Sequence, residues 1–508
     1  MKKRMKLCAL LLALALTLSG CVFKGPDTEA ANEVSLPEPQ EEPDSMLLGE
    51  MLSSSYREVA LYYAASDGSG FTTVMRGVRA DAAESLPEAA VSALLSSTGP
   101  GGTRTAPDAR LTGCEFSCGT ATVKLSLDTR AVQSAQELLA LEASIGNTLL
   151  GIEGVRGVNV LIGDASEGFW QLPFGVQTEP INSVTAAYAQ LQAEHDRKDL
   201  EGASPVTRRA LVYFPTSGGE WLVPELRTIN ATGDRFAAAL IDALKEGPRD
   251  VACAVPSIPE GVELLEEGLS VETLSSGERV LALNFSPTLI NYLAFSGLDI
   301  WELAASLSLT MTSFLPELDA IRILVNGEPI TMCMIGSEVI RFADGLIRRR
   351  HFSERIGSTA VLYLIDDADE LRGVPRAVSM HSALSPRSLL AELFRYADAG
   401  EDALRLPISA KLFPEDILGV QLSRNIARVN LSGAFYRSCQ SLSPRAERDL
   451  VYAIVNTLCG LEDIRGVRLY IEGHAADTLA GTIYLKSVLL PNPGIVAPEA
   501  SEGTDTEA

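Results

Sequence analysis

Three stretches of the chain repeat one order of apolar and polar positions. Each begins with a short run rich in β-branched and aromatic residues, at 59–63, 210–214 and 360–364. Such runs predict strands. Their starts lie about 150 residues apart, a domain-scale period and not that of a solenoid. A helix follows each strand. In the second copy Asp234 is placed to cap it, and Phe236, Leu240, Ile241 and Leu244 recur at helical spacing before Gly247-Pro248. The first copy has its helix at 87–95, ahead of Gly99-Pro100. The third runs from Ser385-Pro386 through Leu389, Leu390, Leu393 and Phe394 to Gly400. Pro87 and Pro386 suit a first helical turn, where a missing N–H costs nothing.

A strand pair comes next. It spans 262–273 and 279–285 around Ser275-Ser276-Gly277 in the second copy, and 111–116 and 121–127 around Ser117-Cys118-Gly119 in the first. In the third it spans 417–422 and 427–431 around Arg424-Asn425. Val123, Leu125 and Leu127 alternate with Thr122, Lys124 and Ser126, the period of a half-buried strand. A longer helix follows. Ser134 and Glu137 form a capping box ahead of Leu138, Leu141, Ile145, Leu149 and Ile152. Asp299 caps a stripe of Leu303, Leu307, Met311 and Phe314, and Ser443-Pro444 opens one of Val451, Ile454, Val455 and Leu458. A last strand closes each copy at 158–162, 321–325 and 467–471. The order β-α-β-β-α-β, three times over, predicts an α/β (α+β) chain of three tandem small domains. Each is a sheet of three or more strands with two helices on one face.

The N-terminus has a different pattern. Residues 1–20 join a basic start to an apolar run and small residues, which reads as a secretory signal peptide too short to span a membrane comfortably. The junction Leu18-Ser19-Gly20-Cys21 resembles the bacterial lipobox. That resemblance implies a diacylglyceryl group on the Cys21 thiol and cleavage just before it, with Leu18, Ser19 and Gly20 as the recognition residues. Two acyl chains give a stable anchor where one does not. Residues 21–55 are acidic and proline-rich and read as a disordered tether. Residues 491–508 read as a second disordered tail.

The stretches Leu211-Val212-Tyr213-Phe214-Pro215, Leu222-Val223-Pro224-Glu225-Leu226-Arg227 and Ile323-Leu324-Val325-Asn326-Gly327-Glu328-Pro329 resemble the GerMN domain, the sporulation and spore germination domain. Asn147-Thr148-Leu149 and Asn456-Thr457-Leu458 carry its second-helix signature. The second copy departs there with Thr312-Ser313-Phe314, and the outer copies depart at Val-Pro-Glu. The resemblance implies an extracytoplasmic, usually lipid-anchored protein of spore-formers, with a small α/β fold similar to the ring-building motif of secretion rings. It implies no catalytic residue set. The expected layout is then a lipoprotein signal peptide (1–20), the tether (21–55), a first GerMN-like domain (56–165) and a linker with a short helix (166–206). A second domain (207–335), a second linker (336–356), a third domain (357–478) and a C-terminal strand or tail (479–508) complete it.

Charge narrows the partners. With 66 acidic against 42 basic residues the net charge is −24, and removal of residues 1–20 would take Lys2, Lys3, Arg4 and Lys6 with it — so nucleic acid is excluded as a partner. Four histidines, His195, His351, His381 and His474, lie too far apart in sequence to suggest a metal site. No nucleophile elbow, phosphate loop or zinc-protease motif is present. Gly151, Gly154 and Gly157 follow a helix instead of opening one and read as a turn. Asp366, Asp367, Asp369 and Glu370 read as a solvated loop, as does Arg348-Arg349-Arg350-His351, whose other reading is a pair with acidic surface on a neighbouring domain. Glu266-Glu267 lies in a hairpin without a signalled cleft. Cys114, Cys118, Cys253, Cys333, Cys439 and Cys459 show no disulfide framework and read as free thiols. In the first linker, 169–174 is expected to pack on the first domain, with extension of its sheet or an exposed contact patch as the alternatives. No catalytic, cofactor-binding or metal-binding residue is assigned. The expected function is a non-enzymatic, lipid-anchored envelope scaffold with sporulation or envelope proteins as partners. The alternative is an extracytoplasmic sensor that holds a cell-wall fragment or small molecule in an inter-domain cleft.

Overall fold

In the computed structural model each copy opens on a long antiparallel hairpin, where the sequence pattern shows only its first strand. The structure describes residues 49–498 apart from 52–54, 81–84, 103–104, 106–107, 128–133, 165–167, 172–174, 199–204, 233–234, 250, 316–317, 400–403 and 410. A short strand β1 (Gly49–Met51) precedes the first domain. That domain comprises the hairpin β2 (Ser55–Ala64) and β3 (Phe71–Ala80), helix α1 (Leu86–Ser96), strands β4 (Arg110–Ser117) and β5 (Thr120–Ser126), and the long helix α2 (Ala135–Leu150). It ends in β6 (Gly157–Asp164) and β7 (Gly168–Gln171), and helix α3 (Val184–Lys198) leads on.

The second domain has the hairpin β8 (Val206–Pro215) and β9 (Leu222–Ala231), then α4 (Phe236–Glu246), β10 (Leu264–Thr273) and β11 (Arg279–Phe285). A short helix α5 (Leu289–Ser296) precedes the long α6 (Ile300–Phe314), followed by β12 (Ala320–Val325), β13 (Glu328–Pro329) and the small hairpin β14 (Met332–Ile335) and β15 (Glu338–Arg341). The third has β16 (Gly357–Ile365), β17 (Leu371–Ser379), α7 (Pro386–Ala399), β18 (Ile417–Ser423), β19 (Ile426–Leu431), α8 (Gly433–Cys439), α9 (Pro444–Leu458), β20 (Gly466–Ile471) and β21 (His474–Ala475).

The main sheets run β4-β5-β6-β7, β10-β11-β12-β13 and β1-β18-β19-β20-β21. In each, an antiparallel pair is extended by a parallel strand that the long helix crosses over to reach, as a parallel neighbour requires. The hairpins β2-β3, β8-β9 and β16-β17 form sheets of their own. Their second strands mix Arg, Thr, Gly and Pro with apolar residues, so they lack the clean alternation that marks a strand in sequence. Each domain has its own buried core.

One contact repeats in all three domains. Alternate N–H groups of a two-stranded hairpin point away from the partner strand and need another acceptor. The N–H of Tyr62 donates to Thr148 Oγ1, that of Tyr213 to Thr310 Oγ1, and that of Tyr363 to Thr457 Oγ1, each at 3.0 Å. The long helix is thus pinned to the hairpin by a buried threonine. This corrects the register expected for the second copy: its counterpart of Asn-Thr-Leu is Leu309-Thr310-Met311, not Thr312-Ser313-Phe314. Valine at Thr457 keeps the shape and strands the Tyr363 N–H. Thr457→Val is expected to cost about 1–3 kcal/mol, measured by urea unfolding.

Three further segments depart from expectation. Residues 49–51, read as tether, pair in parallel with β18. Residues 491–498, read as a disordered tail, lie on the third domain: Leu371 bridges Val496, and Ala497 N–H donates to the Leu371 carbonyl (2.7 Å). The remaining tail, 499–508, lies outside the described residues. The 169–171 segment takes the sheet-extending option, as part of β7.

Candidate functional site at the domain junction

The final strand of every domain is met by the chain returning after it: Val158 bridges Gln177, Ile321 bridges Ile347, and Val467 bridges Leu489. In the first and third domains an asparagine then grips the returning backbone. Asn147 Oδ1 accepts from Ile181 N–H (2.8 Å) and its amide donates to the Ile181 carbonyl (2.8 Å). Asn456 Oδ1 accepts from Asn492 N–H (2.9 Å) and its amide donates to the Asn492 carbonyl (3.4 Å). The second domain has Leu309 at that helix position, which can do neither. Its returning chain supplies Arg349 instead.

Arg349 is 5% exposed. Its guanidinium donates to Ser313 Oγ, to the Leu309 carbonyl (3.5 Å) and to the Tyr213 hydroxyl (3.2 Å), all in the second domain. It also donates to Glu115 Oε2 of the first domain (3.0 Å) and lies 5.5 Å from the Tyr213 ring centre. Lys124 pairs with the other Glu115 oxygen. Burial alone would raise the Glu115 carboxyl, but the Arg349 and Lys124 charges outweigh it and hold the group below the usual range. Burial likewise opposes the Arg349 charge, and Tyr213 and Glu115 overcome it, so the guanidinium stays protonated. Arg349 is therefore a buried tie to an acidic residue of the neighbouring domain, the other reading of this basic run, while Arg350 is exposed. Next to it, Arg348 pairs with Glu278 (2.5 Å). The His351 Nδ1 accepts from Arg348 N–H (3.1 Å), while burial and the flanking Arg350 and Arg348 charges push the imidazole down to about 4.

The third domain joins at the same place. The β4-β5 turn reaches its first strand: Ser117 Oγ donates to the Gly357 carbonyl (2.6 Å) and Cys118 N–H to Ser358 Oγ (3.4 Å). Leu222 of the second domain bridges Ile356 in parallel. Farther along, Arg57 pairs with Asp463, and Gly154 (φ 86°) lies against the Glu462 side chain. Burial, then Asp463 and Glu153, push the Glu462 carboxyl up. A cleft of about 450 Å³ between the first and third domains is lined there by Glu153, Arg156, Ser358, Thr359, Glu462 and Asp463.

The other singled-out residues separate. Asp366 accepts from the N–H groups of Ala368 and Glu370 (both 2.9 Å) and pairs with Arg372 (2.5 Å), and Asp369 pairs with Arg405 (2.5 Å). Glu267, with φ 56°, sits at the bulge of β10. The six cysteines from Cys114 onward are free thiols. Leu18, Ser19, Gly20 and Cys21 lie outside the described residues, as does Asp234.

The chain matches the family described as sporulation and spore germination, Germane, at residues 60–167, 211–331 and 361–477. These three segments make up more than half of it. The chain belongs to the sporulation and spore germination family. Its three Germane segments coincide with the three hairpin-plus-sheet units, and the residue range of each includes its tyrosine–threonine pin. Among solved structures it is similar to the tandem GerMN domains of the sporulation protein GerM from Bacillus subtilis, with 18% identity, a TM-score of 0.24, and 58% of this chain and 99% of that one covered. The first GerMN domain of the same protein matches at 16% identity and a TM-score of 0.20, covering 28% of this chain and 98% of that one. A protein described as a lipoprotein from Clostridium perfringens matches at 18% identity and 0.16, covering 26% and 92%. No curated protein matches the chain. Among the described residues no helix is long and apolar enough to cross a membrane.

Proposed function

We propose that this Germane-family chain is a non-enzymatic, lipid-anchored envelope protein of sporulation or germination. Its three domains act as one interaction body that presents surfaces to partner proteins. The observation that carries this reading is the Arg349 tie. A buried cation from the second linker, bonded to both the first and second domains, spends a desolvated charge on fixing their arrangement. A string of independent beads has no use for it. Anchoring rests on the Leu18-Ser19-Gly20-Cys21 motif. Cys21→Ser is expected to move the protein from the membrane to the soluble fraction of fractionated cells, and unchanged membrane residence would remove the anchor from the proposal. Crosslinking from intact cells with the anchor retained is expected to recover specific envelope proteins. The cleft between the first and third domains favours a second reading, a ligand-holding sensor. Recovery of a wall fragment with no specific protein would select it.

A further inference from the structure

The three domains share a groove that the first fills with its own backbone and the third lines with its own arginines. It lies between the turn after the first hairpin strand, the loop after the first helix and the first turns of the long helix. The turn residue six positions past each pinned tyrosine is left-handed: Gly68 (φ 70°), Gly219 (φ 65°) and Asp369 (φ 58°).

In the first domain a polypeptide segment occupies this place. Thr185 N–H and Ser183 Oγ both donate to the Gly68 carbonyl (3.2 Å each), and Gln136, on the long helix, donates to Thr185 Oγ1 (3.2 Å). In the third domain arginines line it and leave about 300 Å³ open. Arg445, at the helix position of Gln136, donates to the Asp369 carbonyl (2.5 Å), and Arg405 donates to the Asp369 carboxylate (2.5 Å). Asp449, about two turns before Thr457, pairs with Arg448 (2.7 Å) and Arg445 (3.6 Å).

The second domain keeps the turn carbonyl, at Gly219, and a helix carboxylate, at Glu302, but has no counterpart of the Asp369 carboxylate, and among the described residues no arginine lines the groove. Its turn is Gly218-Gly219, and the groove opens to about 950 Å³. Glu302 takes the helix position of Asp449; it accepts from Asp299 N–H (2.7 Å), and burial raises its carboxyl. Among the described residues Asp242 and Glu260 line the groove with no ion pair, Glu246 is already held by Arg227 and Arg249, Trp301 supplies an apolar wall, and Lys245 is the lining cation. The surplus of carboxylates calls for a cation.

We infer that this groove of the second domain takes an extended, arginine-bearing segment of a partner protein. The segment supplies in trans the guanidinium that Arg405 and Arg445 supply in the third domain and the backbone that residues 183–185 supply in the first. A guanidinium suits paired carboxylate and carbonyl acceptors because its donors form a fixed fork. The inference deepens the interaction reading and rests on it.

The test uses the full chain and a fluorescent acetyl-Ala-Arg-Ala-Arg-Ala-amide peptide, with the same peptide bearing uncharged citrulline in place of arginine as control. Anisotropy is expected to show saturable binding that weakens about tenfold or more with citrulline, as loss of a charge-assisted hydrogen bond does. Asp242→Asn combined with Glu260→Gln is expected to weaken it similarly. Gly218→Arg, which has open space around its Cβ, is expected to fill the groove from within and abolish binding with the thermal midpoint unchanged. No binding, equal binding of the citrulline peptide, or unchanged affinity in both variants overturns the inference. Failure to capture a partner from cells while the peptide still binds counts against the interaction reading alone.

Discussion

Arg349→Met is expected to lower the unfolding free energy by about 3 kcal/mol, the low end of what breaking a buried ion pair costs. The low end applies because Lys124 still pairs with Glu115 when the guanidinium is gone. The loss has two parts. The Glu115 carboxylate is left buried with one cation instead of two, and the Tyr213 hydroxyl and Ser313 Oγ lose their donor. Glu115→Gln in the same background removes the stranded charge, and the double variant is expected to recover much of the loss. Desolvation of two charges offsets most of what such a pair contributes when intact. Urea midpoints of the two single variants and the double variant form a cycle that isolates the coupling. Additive single effects would mean that the two domains are not tied through this contact. Hydrogen exchange of the β4-β5 turn, which leans on the third domain, is expected to quicken in Arg349→Met.

Glu142→Leu is expected to stabilise the protein at neutral pH by about 1–3 kcal/mol. Glu142 is 2% exposed, midway along α2, and neither carboxyl oxygen has a hydrogen-bond partner among the described residues. Burial holds its pKa well above the ordinary 4.5. Between 4.5 and that raised value the folded chain keeps a proton that the unfolded chain has released. Stability therefore falls as pH rises through this window, and the full penalty stands above it. Leucine removes both the penalty and the slope. Ala304 and Val451, at the matching step of the other two long helices, show that the position accepts an apolar side chain. Urea midpoints measured from pH 4.5 to pH 8 are expected to fall more steeply in the parent than in Glu142→Leu, and parallel curves would refute the account.

The three-fold order of elements was legible because apolar periodicity is set by which face each element buries. The first strands, the long helices and the final strands all have one dry face. The second hairpin strands were not legible, since β3, β9 and β17 carry Arg76, Arg227 and Arg376 and are interrupted by Gly or Pro. The short helices α5 and α8 were missed for a related reason: α5 buries only Leu289 and Leu293, too few to set a period. Asn-Thr-Leu could be recognised as a signature, but what it does could not. The threonine acts on a strand about 90 residues earlier and the asparagine on backbone about 35 residues later, and no local pattern encodes either distance. Arg349 is the sharpest case. Three arginines and a histidine in a row look solvated, and the departure of the second copy from Asn-Thr-Leu did not say what takes the place of the asparagine.

The pairing of β1 with β18 places residues 49–51 in the sheet of the last domain, before the chain enters the first hairpin. Any pull transmitted from the N-terminus is borne first by that sheet edge and only then by the first hairpin. During synthesis the strands of the last domain emerge after all the others, so residues 49–51 must wait for β18 before they can pair. A chain truncated ahead of residue 417 leaves β1 without its seat.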